Sequence, residues 1–466
     1  MYDPVNREFR GFREVTVTDA AGTKTINTFG QDDHTKGKML EKDVKDSSGN
    51  LFSKEVTTWG DTHPWGTGVD VHFEHADQVD SYIYDGDSSY KQVRKEFTYD
   101  DYGNLASMTE DGDVSVTGDE RKTVNTYVYG MAAPGSGSGT YIVSTLSKTT
   151  LYDSNLTTIK AEKYLYYDGA TSITTAPTAG LLTKEEEWLS TASGCGTAGV
   201  CSNNPKSTIT YDSYGNVATL VDARSYTTTN TYDSTYHLFL VTISNALSQT
   251  KSFTYDPWLA QMLTSTDQNG QVTETQYDVL GRVTKVIAPL DSSSEPTQEF
   301  VYAYPSSGCT SNCYSTTTTK VKSSVPGQTF TQLVTYSFTD GLGREIERRS
   351  PAEDSAKQIV SGIVEFDSRG LVSKQYVPYF ENTSTSFVTP VTSGPKATFT
   401  YDAVGRRTRI DYPDSTNSQV AFSDFVKTTT DPRGKQLRYT NDGYGRLVKV
   451  EETNAGATYT TTYKYD

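Results

Sequence analysis

The feature that most constrains this chain is a short turn that recurs. Tyr277 to Val283 reads YDVLGRV, and variants begin at Tyr211 (YDSYGNV), Tyr401 (YDAVGRR) and Tyr99 (YDDYGNL). Looser copies begin at Phe338 (FTDGLGRE), Phe366 (FDSRGLV) and Asn441 (NDGYGRLV). In each an Asp precedes a Gly by the same offset: Asp100 and Gly103, Asp212 and Gly215, Asp278 and Gly281, Asp340 and Gly343, Asp367 and Gly370, Asp402 and Gly405, Asp442 and Gly445. An Asp side chain bonds backbone two residues on and so starts a turn. A Gly further along takes φ > 0 without a Cβ clash, as the left-handed position of a longer hairpin loop requires. The aromatic before the Asp and the Val or Leu after the Gly are strand residues. Each copy closes one alternating apolar/polar run and opens another, so each reads as the tip of a β-hairpin.

The spacing turns these tips into an array. Tyr211, Tyr232, Tyr255 and Tyr277 are each followed by Asp and lie 21, 23 and 22 residues apart. A near-constant period of this size marks a repeat architecture. A second turn signal falls between tips: Asp267-Gln-Asn-Gly270 before Tyr277, Asp431-Pro-Arg-Gly434 before Asn441, and Ala223-Arg-Ser225 before Tyr232. One period therefore holds two strands and two turns, which is a hairpin and not a strand–helix unit. No stretch sustains a 3.6-residue apolar period, so little helix is expected. The fold class is all-β, built from tandem hairpins in an antiparallel sheet.

Residues 1–98 are strand-rich but off the period, with turns at Asp19-Ala-Ala-Gly22 and Asp46-Ser-Ser-Gly49, and with Thr57 to Val79 the least regular part. Residues 99–466 hold the array. Loop insertions are expected near 131–140 (Gly/Ser-rich), 190–206, 288–330 (Ser/Thr/Pro-rich) and 384–395. Tyr152-Asp153 and Tyr167-Asp168-Gly169 are weaker tips. Asp256-Pro-Trp258 has lost its Gly and predicts a different turn type. Glu185 to Glu187 fits a short helix or a strand continuing from Leu181.

Composition narrows the function. Hydrophobic residues make up 34% of the 466, yet there are 33 Tyr. Burial must then rest on amphipathic aromatics and Thr more than on Leu and Ile. A chain that is 12% Phe, Trp and Tyr does not have the composition of a disordered one. The net charge of −16 repels phosphate backbones and argues against nucleic acid as a partner. No run of 18 apolar residues exists to form a membrane span. The opening Met-Tyr-Asp-Pro has no charged region followed by an apolar one, as a signal peptide would. Tyr2-Asp3 and Tyr465-Asp466 read as cuts through a longer array, since a natural solenoid carries caps.

The tips from Tyr99 to Tyr465 resemble the YD-repeat, or Rhs-repeat, family, which includes bacterial Rhs proteins, the B and C components of insecticidal toxin complexes, and animal teneurins. The segment Asp3-Pro-Val-Asn-Arg-Glu-Phe-Arg-Gly-Phe12 resembles the part that leads into the repeats of B-type components, which favours the bacterial toxin-associated branch. The resemblance implies a long, curved β-sheet ribbon wound in a spiral, forming a hollow shell that encloses a C-terminal toxin. Three departures stand out. Within residues 1–466 no stretch reads as a propeller or other N-terminal module, none reads as a cargo, and the terminal Asp-Pro-x-Gly-Leu-like signature tied to self-cleavage is missing. Asp431-Pro-Arg-Gly434 lacks the Leu and reads as an ordinary turn. On the order of 20 hairpins, with strands ~4.8 Å apart, give a ribbon roughly 200 Å long, an open piece of wall.

The function this implies is a structural, non-catalytic shell segment of a secreted bacterial toxin or polymorphic toxin. Its partners would be toxin cargo or the remaining parts of one longer polypeptide, and it would be secreted or on the cell surface. The acidic balance suits a basic cargo. The rival reading is a cell-surface recognition module that binds glycan or protein through irregular loops at 59–79, 133–139 and 190–206. Rings such as Trp59 and Trp65 clustered on an exposed loop would favour it. An enzyme is the third reading, and no motif supports it. Gly194 to Gly199 matches G-x-G-x-x-G by letter without a strand-to-helix unit around it. His72-Phe-Glu-His75, with His63 nearby, lacks metal-site spacing on a strand and reads as scattered surface histidines. Tip Asp residues bond backbone donors in preference to calcium, which needs six to eight oxygens. Neither a metal nor a cofactor is expected. The cysteines fall in two close pairs, Cys195 with Cys201 and Cys309 with Cys313. An exported protein would use them as loop-stapling disulfides, with the two local pairings favoured among three connectivities. Zinc and free thiols are the alternatives.

Overall fold

The computed structural model describes residues 2–3, 7–62, 72–131, 141–188, 199–305, 314–324, 329–454 and 456–465. Among them there is no helix, and every named strand pairs antiparallel with its neighbours. One sheet holds 25 strands, which succeed each other in chain order. It does not close. Among the described residues its end strands, Glu14–Thr18 and Tyr379–Asn382, each pair on one side, with Lys24–Phe29 and with Lys357–Ser361. Nine strands from Val364–Phe366 to Ala457–Thr462 form a second sheet, and Tyr2–Asp3 pairs with Glu8–Phe9. The strand reading of Glu185 to Glu187 holds, since they end the strand Leu182–Glu187. The stretch 288–330 is only partly loop, because Gln298–Ala303 and Ser315–Lys322 lie within it and pair together. Its Thr content was read as loop-like, but Thr is β-branched and Thr316 to Thr319 sit in the ladder.

The chain divides into two compact units: residues 1–207 with 399–411 and 415–466, and residues 208–398 with 412–414. The first unit carries the longest strands, Leu51–Thr62 and Tyr141–Tyr152 at 12 residues each. Its interior is polar. Tyr164 and Tyr166 are fully buried. Their hydroxyls donate to Glu162 and Glu186, Thr150 Oγ1 donates to Glu162 Oε1 at 3.0 Å, and the Lys184 ammonium sits 3.4 Å from the Tyr166 ring centre. Within this unit the last strands return to the earlier ones. Tyr444, at a tip of the second sheet, donates to the carbonyls of Glu110 (2.9 Å) and Asp119 (2.5 Å), and Arg121 stacks on its ring. Arg406 Nη2 donates to Asp85 Oδ1 at 2.7 Å.

The second unit begins within the strand Lys206–Tyr211 and contains the regular hairpins that follow, to Val283–Ile287. Its apolar core is small: Val360, Ile363 and Tyr376, with Tyr379 packed on them. Beside it a fully buried Arg349 is held by Glu347 at 2.5 Å and Glu381 at 2.6 Å. Among the described residues, prolines aside, only nine apolar side chains are buried.

Candidate functional site: the repeated corner

The seven Asp/Gly tips share one geometry. At Asp278, Oδ1 accepts the N–H of Leu280 (2.9 Å) and of Arg282 (3.0 Å). The Asp278 N–H donates to the Arg282 carbonyl, and the Gly281 N–H returns to the Asp278 carbonyl. Asp100, Asp212, Asp340, Asp367, Asp402 and Asp442 repeat both Oδ1 bonds, to the residues two and four on. The seven glycines have φ from +75° to +87°. The intervening turns use the same corner at Asp19, Asp46, Asp267 and Asp431. At Asp222 and Asn245 a serine takes the left-handed position, Ser225 at φ +67° and Ser248 at φ +60°. At the Asp256 tip that position falls to Ala260, φ +52°.

The corners at Asp100, Asp212, Asp278, Asp340, Asp402 and Asp442 also reach the next repeat, through two links that sequence reasoning missed. The first is a tyrosine hydroxyl. Tyr127, Tyr232, Tyr302 and Tyr465 donate to the carbonyls of Leu105, Val217, Val283 and Leu447, at 3.2, 3.3, 2.9 and 2.7 Å. Every acceptor is the first residue of the strand that leaves a corner. Tyr277 makes the equivalent bond to Met262 at 2.8 Å. The second link is the residue four after the Asp. Where it is Arg, it pairs with its own Asp and stacks on an aromatic ring of the following repeat. Arg282 lies 4.3 Å from the Tyr302 ring centre, Arg344 3.8 Å from Phe366, Arg406 4.0 Å from Phe422 and Arg446 4.9 Å from Tyr465. Where it is Asn, its amide bridges instead, Asn104 to the Val143 carbonyl and Asn216 to the His237 carbonyl. The Arg at this offset was visible in four tips, and the ring one period later was the readable signal.

This arrangement of strands is already known. Over 100% of this chain, the crystal structures of TcdB2-TccC3 and of TcdB2-TccC3-Cdc42 superpose with a TM-score of 0.77 at 14% identity. The Photorhabdus luminescens Tc holotoxin pore carrying the TccC3-D651A mutation does so at 0.76 and 12%. The fold is that of TcdB2-TccC3. This chain spans about a third of those chains, 33 to 35%. No protein-family profile matches the sequence, and no curated protein matches it.

In this TcdB2-TccC3-like sheet the carboxyls of Asp100, Asp212, Asp278, Asp340 and Asp367 are held below their ordinary range. The Arg282 guanidinium and the corner N–H groups keep the Asp278 carboxyl below its ordinary range. At Asp100 and Asp340 burial pushes upward and the corner donors outweigh it. Asp168 departs from the common corner. Burial raises its pKa, but the N–H groups of Ala179, Thr178, Leu181 and Gly180 converge on it and bring it down to about 2. The buried Glu347 shows the reverse, since burial pushes its carboxyl up despite Arg349.

The remaining candidates are placed as follows. Cys201 is disulfide-bonded. Cys195, Cys309 and Cys313 lie outside the described residues, as do His63, Trp65 and Gly194 to Thr197. His72 and His75 are not scattered surface residues. His75 is largely buried, 2.9 Å from Asp77 and against the rings of Phe73 and Tyr99. His72 instead meets Asp61 and His34, the latter from a loop far back in sequence. Trp59 is part of the sheet, donating its indole N–H to the Met39 carbonyl at 3.0 Å under the Lys38 ammonium.

Proposed function

We propose that this chain is a structural, non-catalytic wall segment of an Rhs-type secreted bacterial toxin, enclosing or shielding a C-terminal cargo. Residues 1–98 lead into the repeats and residues 99–466 form the repeat wall. The observation that carries the reading is the use that the repeated corners make of their polar groups. Carboxylate, guanidinium and tyrosine hydroxyl are spent on their own turn and on the next repeat, which builds a continuous sheet from a chain with little apolar core. The likeness of fold to TcdB2-TccC3 over the whole chain supports it, and the disulfide at Cys201 fits export to an oxidising compartment. The partners would be the cargo and other parts of the toxin. The test is protease protection of the polypeptide segment that this wall accompanies. It should resist digestion with the wall intact and be digested rapidly once the wall is unfolded by mild denaturant. Equal digestion in both states would sink the proposal, and turnover of a substrate lost on a single point mutation would make the chain an enzyme.

One observation favours the rival, a recognition module for glycan or protein. Consecutive tips of the second unit expose Tyr214, Tyr236, Trp258 and Leu280, with Trp258 at 93%. Their turns alternate with those at Asp222, Asn245 and Asp267, so the four lie along one edge of the meander. Binding to a glycan array that Trp258→Ala abolishes would select this reading.

A further inference from the structure

We propose that His34, Asp61 and His72 form a binding site for one divalent transition-metal ion of the zinc class. The three come from separate segments. His34 lies in the loop between Lys24–Phe29 and Met39–Lys45, Asp61 near the end of Leu51–Thr62, and His72 just before Phe73–Ile83. Their ligand atoms all lie within 4.8 Å of one another. Both imidazoles approach the same carboxylate oxygen through Nδ1: His72 at 2.8 Å from Asp61 Oδ2 and His34 at 3.6 Å. Donors about 2.0–2.1 Å from a tetrahedral zinc ion stand about 3.3 Å apart. The two separations bracket that value, so an ion fits after small side-chain rotations.

The surroundings favour a metal of this class. Two imidazoles and one carboxylate suit zinc and its neighbours in the transition series, whereas calcium and magnesium take oxygen donors. The two rings lie 4.6 Å apart with planes tilted by 45°, so they converge without stacking flat. The His34 loop is set by its own hydrogen bonds, since Asp32 Oδ1 accepts the N–H groups of His34 (3.0 Å) and Thr35 (2.6 Å). Asp61 and His72 are held near the end of one strand pair, where Thr62 faces Phe73. His34 is 45% exposed and its two partners about a quarter or less. The site is therefore open on one side, which leaves a fourth position for water or for a donor from a partner. Bound there, the ion would tie three strand ends in the N-terminal part of the sheet.

The test uses the whole chain, stripped with a chelator, with its disulfides intact and zinc or cobalt as the only added ligand. Calorimetry should count one zinc ion per chain. Cobalt should give a visible ligand-field band without thiolate charge transfer, which excludes the cysteines. Zinc should raise the melting temperature by roughly 3–5 °C. His34→Ala, Asp61→Asn and His72→Ala should each weaken binding by at least about 10-fold, and His237→Ala should not. His34 is exposed, so its variant is readable even if the Asp61 variant folds poorly. Absence of binding at millimolar zinc, or binding that His34→Ala and His72→Ala leave unchanged, overturns the site.

Discussion

Gly281 shows what a single residue contributes. A Cβ built there meets nothing within 4 Å, so space does not demand glycine. Its φ of +75° does. Gly281→Val should cost about 1–2 kcal/mol through backbone strain alone, read as a lower denaturation midpoint in urea. A variant that melts with the parent would mean the left-handed corner is not kept in solution. Asp168 makes a pH argument. Its folded pKa of about 2 lies below the ~3.9 of an unfolded Asp. It therefore stabilises above that unfolded value and loses this contribution as pH falls from about 4 through 2. Asp168→Asn should lower the melting temperature at pH 7 and flatten its fall between pH 4 and 2. Parallel curves for parent and variant would refute the convergence of N–H donors on that carboxylate.

The hairpin is the next scale. Its corner was legible because the chemistry is local: Asp, then Gly, within five residues. The links between hairpins were less so. The hydroxyl of Tyr302 finds a backbone carbonyl 19 residues back, at Val283, and a carbonyl has no letter of its own in a sequence. The tyrosines were taken as strand formers, which they are, but at Tyr302 and Tyr465 the hydroxyl adds a bond that Phe366 and Phe422, stacked on the corner arginines of other repeats, have no group to make. Tyr302→Phe should cost about 0.5–1.5 kcal/mol. Amide exchange should quicken around Val283 and Tyr302, while the corner at Asp212 keeps its protection. Unchanged exchange at Val283 would show the bond to be idle. Glu347 and Arg349 were readable in principle, because residues two apart share a strand face. Only the fold shows that this face is buried. The histidines illustrate the opposite limit. His72 and His75 were judged by their spacing to each other, but the partner of His72 is His34, nearly forty residues earlier.

On the scale of the molecule, stability is distributed along the chain and not gathered in one core, as expected of repeats that contact mainly their neighbours. An exception lies inside the first unit, where the tip at Asp442 seats on the turn at Gly112. A Cβ on Gly443 would lie 2.4 Å from the Gly112 carbonyl carbon and 2.5 Å from the Asp113 nitrogen. Gly341, at the same offset in its own tip, has nothing within 4 Å. Gly443→Ala should therefore unseat the last strands, seen as protease cleavage between residues 432 and 465, while Gly341→Ala leaves the digest unchanged. Equal digests for the two variants would show that this contact is not tight. The tyrosine links carry one more implication. Each points backward: Tyr232 to Val217, Tyr302 to Val283, Tyr465 to Leu447. In each such pair the earlier hairpin offers the carbonyl and the later one supplies the proton, so a chain cut short after any of these repeats leaves its last acceptor to water.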